Sequence, residues 1–153
     1  MNHIDLALSR FAEGFNCSQA VFSSYAEGID EDTALKIASA FGGGMGRMAE
    51  TCGAVTGAMM VLGLRFGGTA PDREAKERVY AKIREFADRF KARNGSLVCR
   101  DLLGCDISTP EGYEAAKEKQ LVSTTCPKFV RDAAEILEEM LSIKQGKTSE
   151  GQV

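Results

Sequence analysis

Apolar residues recur every three or four positions along most of this chain, the spacing that places them on one face of an α-helix. The first series is Ile4, Leu8, Phe11 and Phe15. Comparable series predict a second helix that ends at Tyr25, a third through Ala34, Ile37, Ala38 and Phe41, and a fourth over about residues 50–66. A long fifth helix has the apolar face Val79, Ile83, Phe86 and Phe90. Two short helices follow, one over residues 96–103 and one after Pro110, and the last helix buries Val130, Ala133 and Leu137. No window alternates apolar and polar residues strictly enough to predict a strand. We therefore expect an all-α fold, a compact bundle of about six to eight helices.

Individual residues mark where these helices begin and end. Asn16 is expected to cap the start of the second helix, and Asp30 or Asp32 the start of the third. Gly28 suits the left-handed position that follows a helix C-terminus. Because proline is favoured at the first position of a helix, the pair Cys126-Pro127 predicts the start of the last helix.

Four glycines in five residues, Gly42-Gly43-Gly44-Met45-Gly46, predict a loop with unusual backbone angles. The N–H groups of such a loop can hold an anion. However, the loop lacks the Gly-Lys-Ser/Thr of a Walker motif and no predicted strand precedes it, so a nucleotide site is not favoured. We expect the glycines to let the loop pass close to Cys52 or to bring helices together. Gly53 and Gly57 should give the fourth helix a smooth face for close packing.

The composition indicates one domain. The chain has 153 residues, of which 44% are hydrophobic and 27% charged, values that are close to the average for globular proteins. We expect a single helical domain over residues 1–144 and a flexible polar tail over residues 145–153.

Charge and hydropathy exclude several partners. A net charge of −3 provides no basic surface for nucleic acid or for an anionic membrane. The longest uncharged run, residues 51–64, is shorter than the ~20 apolar residues that a bilayer requires. Residues 1–10 lack the cationic start and apolar block of a secretory signal. We therefore expect a cytoplasmic protein that neither binds nucleic acid nor inserts into a membrane.

Cysteine is the unusual component of the sequence. The chain contains five cysteines: Cys17, Cys52, Cys99, Cys105 and Cys126. Since cytoplasmic thiols are kept reduced, redox chemistry or metal binding is a more natural use for them than a static disulfide scaffold. No Cys-x-x-Cys occurs, which excludes ribbon-type zinc sites, bacterial ferredoxin runs and the thioredoxin motif. The single histidine, His3, leaves little scope for a histidine base or a Cys2His2 zinc site.

The positions of the cysteines on the predicted helices favour reactive thiols. Cys17, Cys52 and Cys126 lie at predicted helix N-termini and on apolar faces, and Cys99 lies on the apolar face of a short helix. The unpaired N–H groups and positive dipole end of a helix N-terminus favour thiolate over thiol. Nearby basic residues are expected to add to this bias: Arg47, Arg100 and Lys128. Buried cysteines can also be simple core residues, and we assign that structural role to Cys105, which lies in a predicted loop.

Five segments of the chain carry a family resemblance. They are Phe15-Asn16-Cys17-Ser18-Gln19-Ala20, Phe41-Gly42-Gly43-Gly44-Met45-Gly46, Glu50-Thr51-Cys52-Gly53-Ala54-Val55-Thr56-Gly57, Cys99-Arg100-Asp101-Leu102-Leu103-Gly104 and Thr125-Cys126-Pro127. Together they resemble the C-GCAxxG-C-C family of redox-active proteins, from about Leu6 to Leu141. The resemblance implies a small bacterial or archaeal protein with a redox role, frequent placement near transporter genes and no settled substrate. The four family cysteines fall on Cys17, Cys52, Cys99 and Cys126, and Cys105 is an extra one.

Three functions remain open at this point. The first is a thiol-based oxidoreductase of the cytoplasm, in which Cys52 is the attacking thiolate and Cys17 or Cys126 the resolving thiol, with Cys99 as the fourth site residue. It would exchange disulfides or two electrons with a partner protein or a small thiol or disulfide, and would need no cofactor. At least one cysteine pair must then have Cα atoms within roughly 7 Å of each other.

The second function is metal binding, in which Cys17, Cys52, Cys99 and Cys126 together hold zinc or an iron–sulfur cluster. The third is a non-catalytic helical scaffold whose cysteines are core residues. Four sulfurs that converge on one point would favour the metal, close pairs would favour exchange, and separated buried thiols would favour the scaffold. The oligomeric state is also open, and the Gly/Ala face of the fourth helix is a place where a second copy could pack.

Overall fold

The computed structural model describes the backbone of residues 1–151 and the side chains of residues 1–141. The described chain forms eight α-helices: α1 (His3–Glu13), α2 (Cys17–Tyr25), α3 (Glu31–Ala38), α4 (Gly53–Phe66), α5 (Arg73–Asn94), α6 (Cys99–Leu103), α7 (Pro110–Glu118) and α8 (Leu121–Gly151), with a 3₁₀-helix at Ser39–Phe41. The expected all-α fold is confirmed. The polar tail predicted for residues 145–153 falls beyond the described side chains, and its flexibility stays a prediction.

The expected helix ends are largely confirmed. The Asn16 side chain accepts a hydrogen bond from the Gln19 N–H, and the Gln19 side chain accepts one from the Asn16 N–H, which together form a capping box. Asp30 rather than Asp32 caps α3. Gly28 has the expected left-handed backbone, with φ of 86°. The starts of α2 and α3 are therefore fixed by hydrogen bonds between residues that are close together in the sequence.

The predicted start of the last helix is wrong. The helix α8 begins at Leu121, and Pro127 lies inside it, so Cys126 is not at a helix N-terminus. The helix follows Gln120, whose left-handed φ of 55° separates it from α7. An interior proline lacks an N–H and usually breaks a helix. Here a buried face that includes Val130 and Leu137 holds α8 in the core, and this packing overrides the local preference of proline.

The core lies between α2, α4, α5 and α8. α4 is buried on most of its surface, as expected for a helix surrounded by others. Its residues Val55 and Leu62 are fully buried, as are Phe86 of α5 and Leu137 of α8. Within the described residues, no helix is both long and apolar enough to cross a membrane.

A network of ion pairs joins the C-terminal end of α5 to the middle of α8. The Arg93 guanidinium lies 3.2 Å from Asp132 Oδ1 and 2.7 Å from Glu135 Oε1. Lys128 Nζ lies 2.7 Å from Asp132 Oδ2. Isolated surface ion pairs contribute little, but a network fixes geometry more firmly. It therefore helps to orient the part of α8 that follows Cys126.

Gly53 and Gly57 bring α4 against α2, as the sequence predicted. A Cβ atom at Gly53 would lie 3.0 Å from the Ser18 backbone nitrogen and 3.2 Å from Cys17 Cβ, and one at Gly57 would lie 2.8 Å from the Ser18 carbonyl oxygen. Glycine is needed for this approach because any side chain would overlap the α2 backbone. The suggestion that this Gly/Ala face receives a second copy is wrong, since α2 of the same chain covers it.

The glycine-rich loop has the unusual backbone that was expected. Residues 43–47 all have left-handed φ values, between 59° and 70°, including the non-glycine residues Met45 and Arg47. A Cβ at Gly44 would lie 2.5 Å from the Glu50 nitrogen, so this turn has no room for a side chain. The loop therefore folds tightly back onto the segment that leads into Cys52.

Candidate functional site: a thiol-lined cavity

A cavity of about 670 Å³ brings the four family cysteines together. Its walls come from α1, α2, α4, α6 and α8 and from the glycine-rich loop. Cys17, Cys52, Cys99 and Cys126 all line it, and we call it the thiol cavity. The fold therefore gathers into one site four cysteines that are widely separated in the sequence.

Cys17 is placed by the start of α2. It follows the capping residue Asn16, whose side-chain amide also donates to the Ser39 carbonyl at 3.1 Å. A Cβ at Gly42 would lie only 2.6 Å from atoms of the Asn16 side chain. The capping box and the glycine-rich loop thus hold the first turn of α2, and with it Cys17, against the thiol cavity.

Cys52 and Cys99 are placed by a single β-bridge between Thr51 and Val98. The Cys52 N–H donates to the Leu97 carbonyl at 2.8 Å, and the Cys99 N–H donates to the Glu50 carbonyl. These bonds join the segment before α4 to the segment before α6. Cys52 becomes the N-cap of α4 and Cys99 the first residue of α6, and both are less than a tenth exposed.

Cys17 and Cys126 shift each other's pKa. Cys126 lies on the second turn of α8, and both cysteines line the thiol cavity. The neighbouring Cys17 thiol lowers the pKa of the Cys126 thiol, because a thiol group beside the Cys126 sulfur stabilises its thiolate. The interaction with Cys126, together with burial, raises the pKa of Cys17. The first proton lost from the pair is therefore that of Cys126.

Burial is the largest influence on the pKa values of the Cys52 and Cys99 thiols. It raises the pKa of Cys52 to about 12, although backbone N–H groups of Ala54 and Val55 favour the thiolate as expected at a helix N-terminus. Burial also raises the pKa of Cys99 to about 11, against a smaller opposing effect of Arg100. The helix N-terminus of α4 therefore does not make Cys52 the most acidic thiol, contrary to the direction expected from sequence.

The basic residues near the cysteines are mostly engaged elsewhere. The Arg47 guanidinium lies 4.3 Å above the centre of the Tyr113 ring. Arg100 pairs with Glu50 at 3.1 Å and still lowers the pKa of Cys99, whereas Lys128 pairs with Asp132. Only Arg100 has the expected effect on a thiol.

Cys105 is separate from this site. It does not line the thiol cavity, and its sulfur donates to the Gly112 carbonyl at 3.0 Å. It packs against a small second cluster that includes Ala49 and Ile107. This surrounding fits the structural role assigned to Cys105.

The possible metal ligands of the described side chains do not form a compact group. Within residues 1–141, no three His, Cys, Asp or Glu side chains are grouped closely enough to hold one ion. The four thiols share the walls of one cavity. A closed tetrathiolate site would require every sulfur to lie about 2.3 Å from the metal.

Most residues that line the thiol cavity, apart from the cysteines, were not identified from the sequence as site residues. Arg131 of α8 is the one charged residue of the lining, is exposed, and makes no ion pair or hydrogen bond within the described side chains. Ser123, Pro127 and Arg131 follow one another at four-residue intervals along α8, and all three line the cavity. The four-residue spacing is present in the sequence. It places these three residues on one helix face only because α8 begins before Cys126, at Leu121.

The family assignment follows from a profile match. The profile described as "Putative redox-active protein (C_GCAxxG_C_C)" matches residues 15–140. The chain belongs to this family. No curated protein and no solved structure matches the chain. In this C_GCAxxG_C_C protein, the glycines of the central motif Cys52-Gly53-Ala54-x-x-Gly57 pack α4 against α2, which brings Cys52 and Cys17 to one cavity.

Proposed function

We propose that this chain is a thiol-redox protein whose Cys17–Cys126 pair cycles between a dithiol and a disulfide. The observation that supports this most directly is the position of both thiols on the wall of the thiol cavity, where each shifts the pKa of the other. Formation of the disulfide brings the two sulfur atoms to ~2.05 Å from each other. We further propose that it works in the cytoplasm, where reduced thiols are the resting state.

The pKa directions assign the roles within the pair. Cys126 is the nucleophile, since its pKa is lowered and the thiolate is the attacking form. Its thiolate attacks one sulfur of a substrate disulfide, which forms a mixed disulfide and releases the first substrate thiolate. Cys17 then attacks the Cys126 sulfur, the Cys17–Cys126 bond forms, and the second substrate thiolate leaves with the Cys17 proton. The protein dithiol is oxidised by two electrons and the substrate disulfide is reduced by two.

This assignment revises the expected role of Cys52. Cys52 and Cys99 keep their protons at neutral pH because burial raises both pKa values. Neither thiol therefore makes the first attack. They contribute to the wall of the thiol cavity beside the reacting pair.

A four-cysteine metal or cluster site is the second candidate. The presence of all four family cysteines on one cavity supports it, whereas the lack of a three-ligand group within residues 1–141 does not. The third candidate, a scaffold with inert core cysteines, is not favoured, because its thiols would not need to share a cavity or to shift each other's pKa.

Thiol counting after mild oxidation tests the first candidate. Reduced protein treated with excess cystamine should lose two thiols per chain to an internal disulfide, which dithiothreitol should restore. Cys17→Ser and Cys126→Ser should form no internal disulfide, whereas Cys105→Ser should behave as wild type. A wild-type protein that forms only mixed disulfides would contradict the proposal.

Metal content tests the second candidate. Protein purified without oxygen and without added metal should contain neither zinc nor iron in stoichiometric amounts if the dithiol proposal is correct. Stoichiometric metal that is lost in each of the serine variants at positions 17, 52, 99 and 126, but kept in Cys105→Ser, would support the metal site instead.

A further inference from the structure

The thiol cavity has the size and shape of a small-molecule site. Its volume of about 670 Å³ falls within the roughly 300–1,000 Å³ typical of ligand pockets. The nucleophile Cys126 is 8% exposed. A thiol with so little exposed surface is less accessible to a disulfide within a folded partner protein than to a small organic disulfide that enters the cavity.

The walls of the cavity favour an apolar body. Apart from the thiols, they are built largely from aliphatic and aromatic side chains, among them Leu8, Phe11, Phe15, Leu103, Val122 and Phe129. Val122 is half exposed, so the apolar lining continues to the solvent side of the cavity. Apolar surface that a ligand covers is removed from water, at a gain of roughly 25 cal/mol per Å².

The one charged residue of the cavity lining favours an anion. Arg131 is the single charged residue of the lining and has no ionic or hydrogen-bonding partner within the described side chains. An unpaired guanidinium beside an apolar cavity can bind a carboxylate through two parallel hydrogen bonds. Arg131 follows Cys126 by five residues, which is about 7.5 Å along the axis of α8 and about 140° around it. Both residues line the cavity, so a ligand with its carboxylate at Arg131 and its disulfide at Cys126 would span the wall between them.

From these features we infer that the thiol cavity binds small organic disulfides that combine an apolar body with a carboxylate, the carboxylate at Arg131 and the disulfide at Cys126. This inference rests on the proposed dithiol function and names its substrate class. The exchange proceeds by the two steps given above, with the organic disulfide reduced to two thiols and the Cys17–Cys126 pair oxidised.

Two chromogenic disulfides separate the contribution of the carboxylate from that of thiol reactivity. 5,5′-Dithiobis(2-nitrobenzoate) carries an aromatic body and carboxylates, and 4,4′-dithiodipyridine is an uncharged aromatic disulfide. With reduced protein, the rate for the first reagent should saturate as its concentration rises. Arg131→Gln should lower this rate about five- to tenfold and change the rate for 4,4′-dithiodipyridine less than twofold. Equal changes for both reagents would show that Arg131 acts on the thiolate alone, and would overturn the inference.

Competition by octanoate tests binding without any thiol chemistry. Octanoate, an apolar carboxylate without sulfur, should slow the reaction of wild-type protein with 5,5′-dithiobis(2-nitrobenzoate) competitively, and its effect should be lost in Arg131→Gln. Lys119→Gln, a charge change outside the lining, is the matched control and should behave as wild type. No competition by octanoate would overturn the inference.

A protein disulfide distinguishes failure of this inference from failure of the proposed function. Insulin should be reduced much more slowly than the organic disulfides. Fast reduction of insulin, with slow and unsaturable reaction of the organic reagents, would overturn the small-molecule site but leave the Cys17–Cys126 exchange intact. If neither insulin nor the organic disulfides oxidise the pair, the proposed function itself fails.

Discussion

Gly57 of α4 faces the backbone of Ser18 in α2, at a distance where a Cβ atom would lie 2.8 Å from the Ser18 carbonyl oxygen. Since real Cβ atoms do not approach so closely, the contact requires glycine. One turn earlier, Gly53 meets the backbone of Ser18 and the side chain of Cys17. The two glycines of the central motif therefore fix the distance between α2, which begins at Cys17, and α4, which is capped by Cys52.

Alanine at position 57 should destabilise the fold. The helix preference of alanine over glycine favours the substitution by up to about 1 kcal/mol, but overlap with the Ser18 backbone costs roughly 1–3 kcal/mol. Gly63→Ala is the matched control on the same helix, because a Cβ there meets nothing within 4 Å. Urea unfolding should show a lower midpoint for Gly57→Ala and a slightly higher one for Gly63→Ala. Equal stabilisation by both changes would show that α2 and α4 are further apart.

The glycine-rich loop offers a similar comparison. Gly44 and Gly46 both have left-handed φ, but a Cβ at Gly44 would lie 2.5 Å from the Glu50 nitrogen, whereas one at Gly46 would come no closer than 3.9 Å to Ala40. Gly46→Ala should cost about 1–2 kcal/mol, the backbone penalty alone. Gly44→Ala should cost more and should also expose Cys52 to alkylation, because its overlap lies directly before the Cys52 segment. Identical unfolding midpoints for the two variants would contradict the tight turn.

The acidity of Cys126 should depend on Cys17. The neighbouring Cys17 thiol lowers the pKa of Cys126, so Cys17→Ala should raise that pKa. The measurement is the pH dependence of iodoacetamide alkylation at Cys126, quantified on its peptide. Cys105→Ala should leave the profile unchanged. A profile that does not move in Cys17→Ala would show that the two thiols do not interact.

Stability should fall in alkaline solution. The unfolded chain loses its thiol protons near the ordinary pKa of 9.0, whereas the folded protein holds those of Cys99 and Cys52 to about pH 11 and 12. Between these values the unfolded state binds fewer protons, so the free energy of unfolding decreases as pH rises. Urea midpoints of reduced protein should therefore drop from pH 8 to pH 10.5.

A variant tests the source of this loss. Cys52→Ala removes one of the two buried thiols and should show a smaller drop between the same pH values, while Cys105→Ala should show the wild-type drop. If Cys52→Ala loses as much stability as wild type, burial of the Cys52 thiol does not set the alkaline limit.

Local features of the fold could be predicted from the sequence because their causes are local. The capping box at Asn16, the left-handed Gly28 and the glycine-rich loop all depend on neighbouring residues. The close packing of Gly53 and Gly57 was predictable from their spacing on one helix face. The four site cysteines were identified from a family resemblance that the profile match confirms.

The remaining features depend on tertiary contacts that the sequence does not reveal. Local preference places Pro127 at the start of a helix, but in the fold Pro127 lies inside α8, because the buried face of α8 stabilises the helix on both sides of the proline. The low pKa of Cys126 comes from Cys17, a residue distant in the sequence, and the high pKa of Cys52 comes from burial. Local reasoning therefore favoured Cys52 as the nucleophile, whereas the pKa shifts in the folded protein support the proposal that Cys126 has this role.

Mapping the disulfide in oxidised protein is the most direct test of the account. Protein oxidised with cystamine, blocked with iodoacetamide and digested without reduction should yield one linked peptide pair, which mass spectrometry should identify as Cys17 joined to Cys126. The same pair should form in the Cys105→Ser and Cys52→Ser variants. A bond between Cys52 and Cys99, or oxidation without any bond between Cys17 and Cys126, would contradict the central claim that these two thiols are the reacting pair.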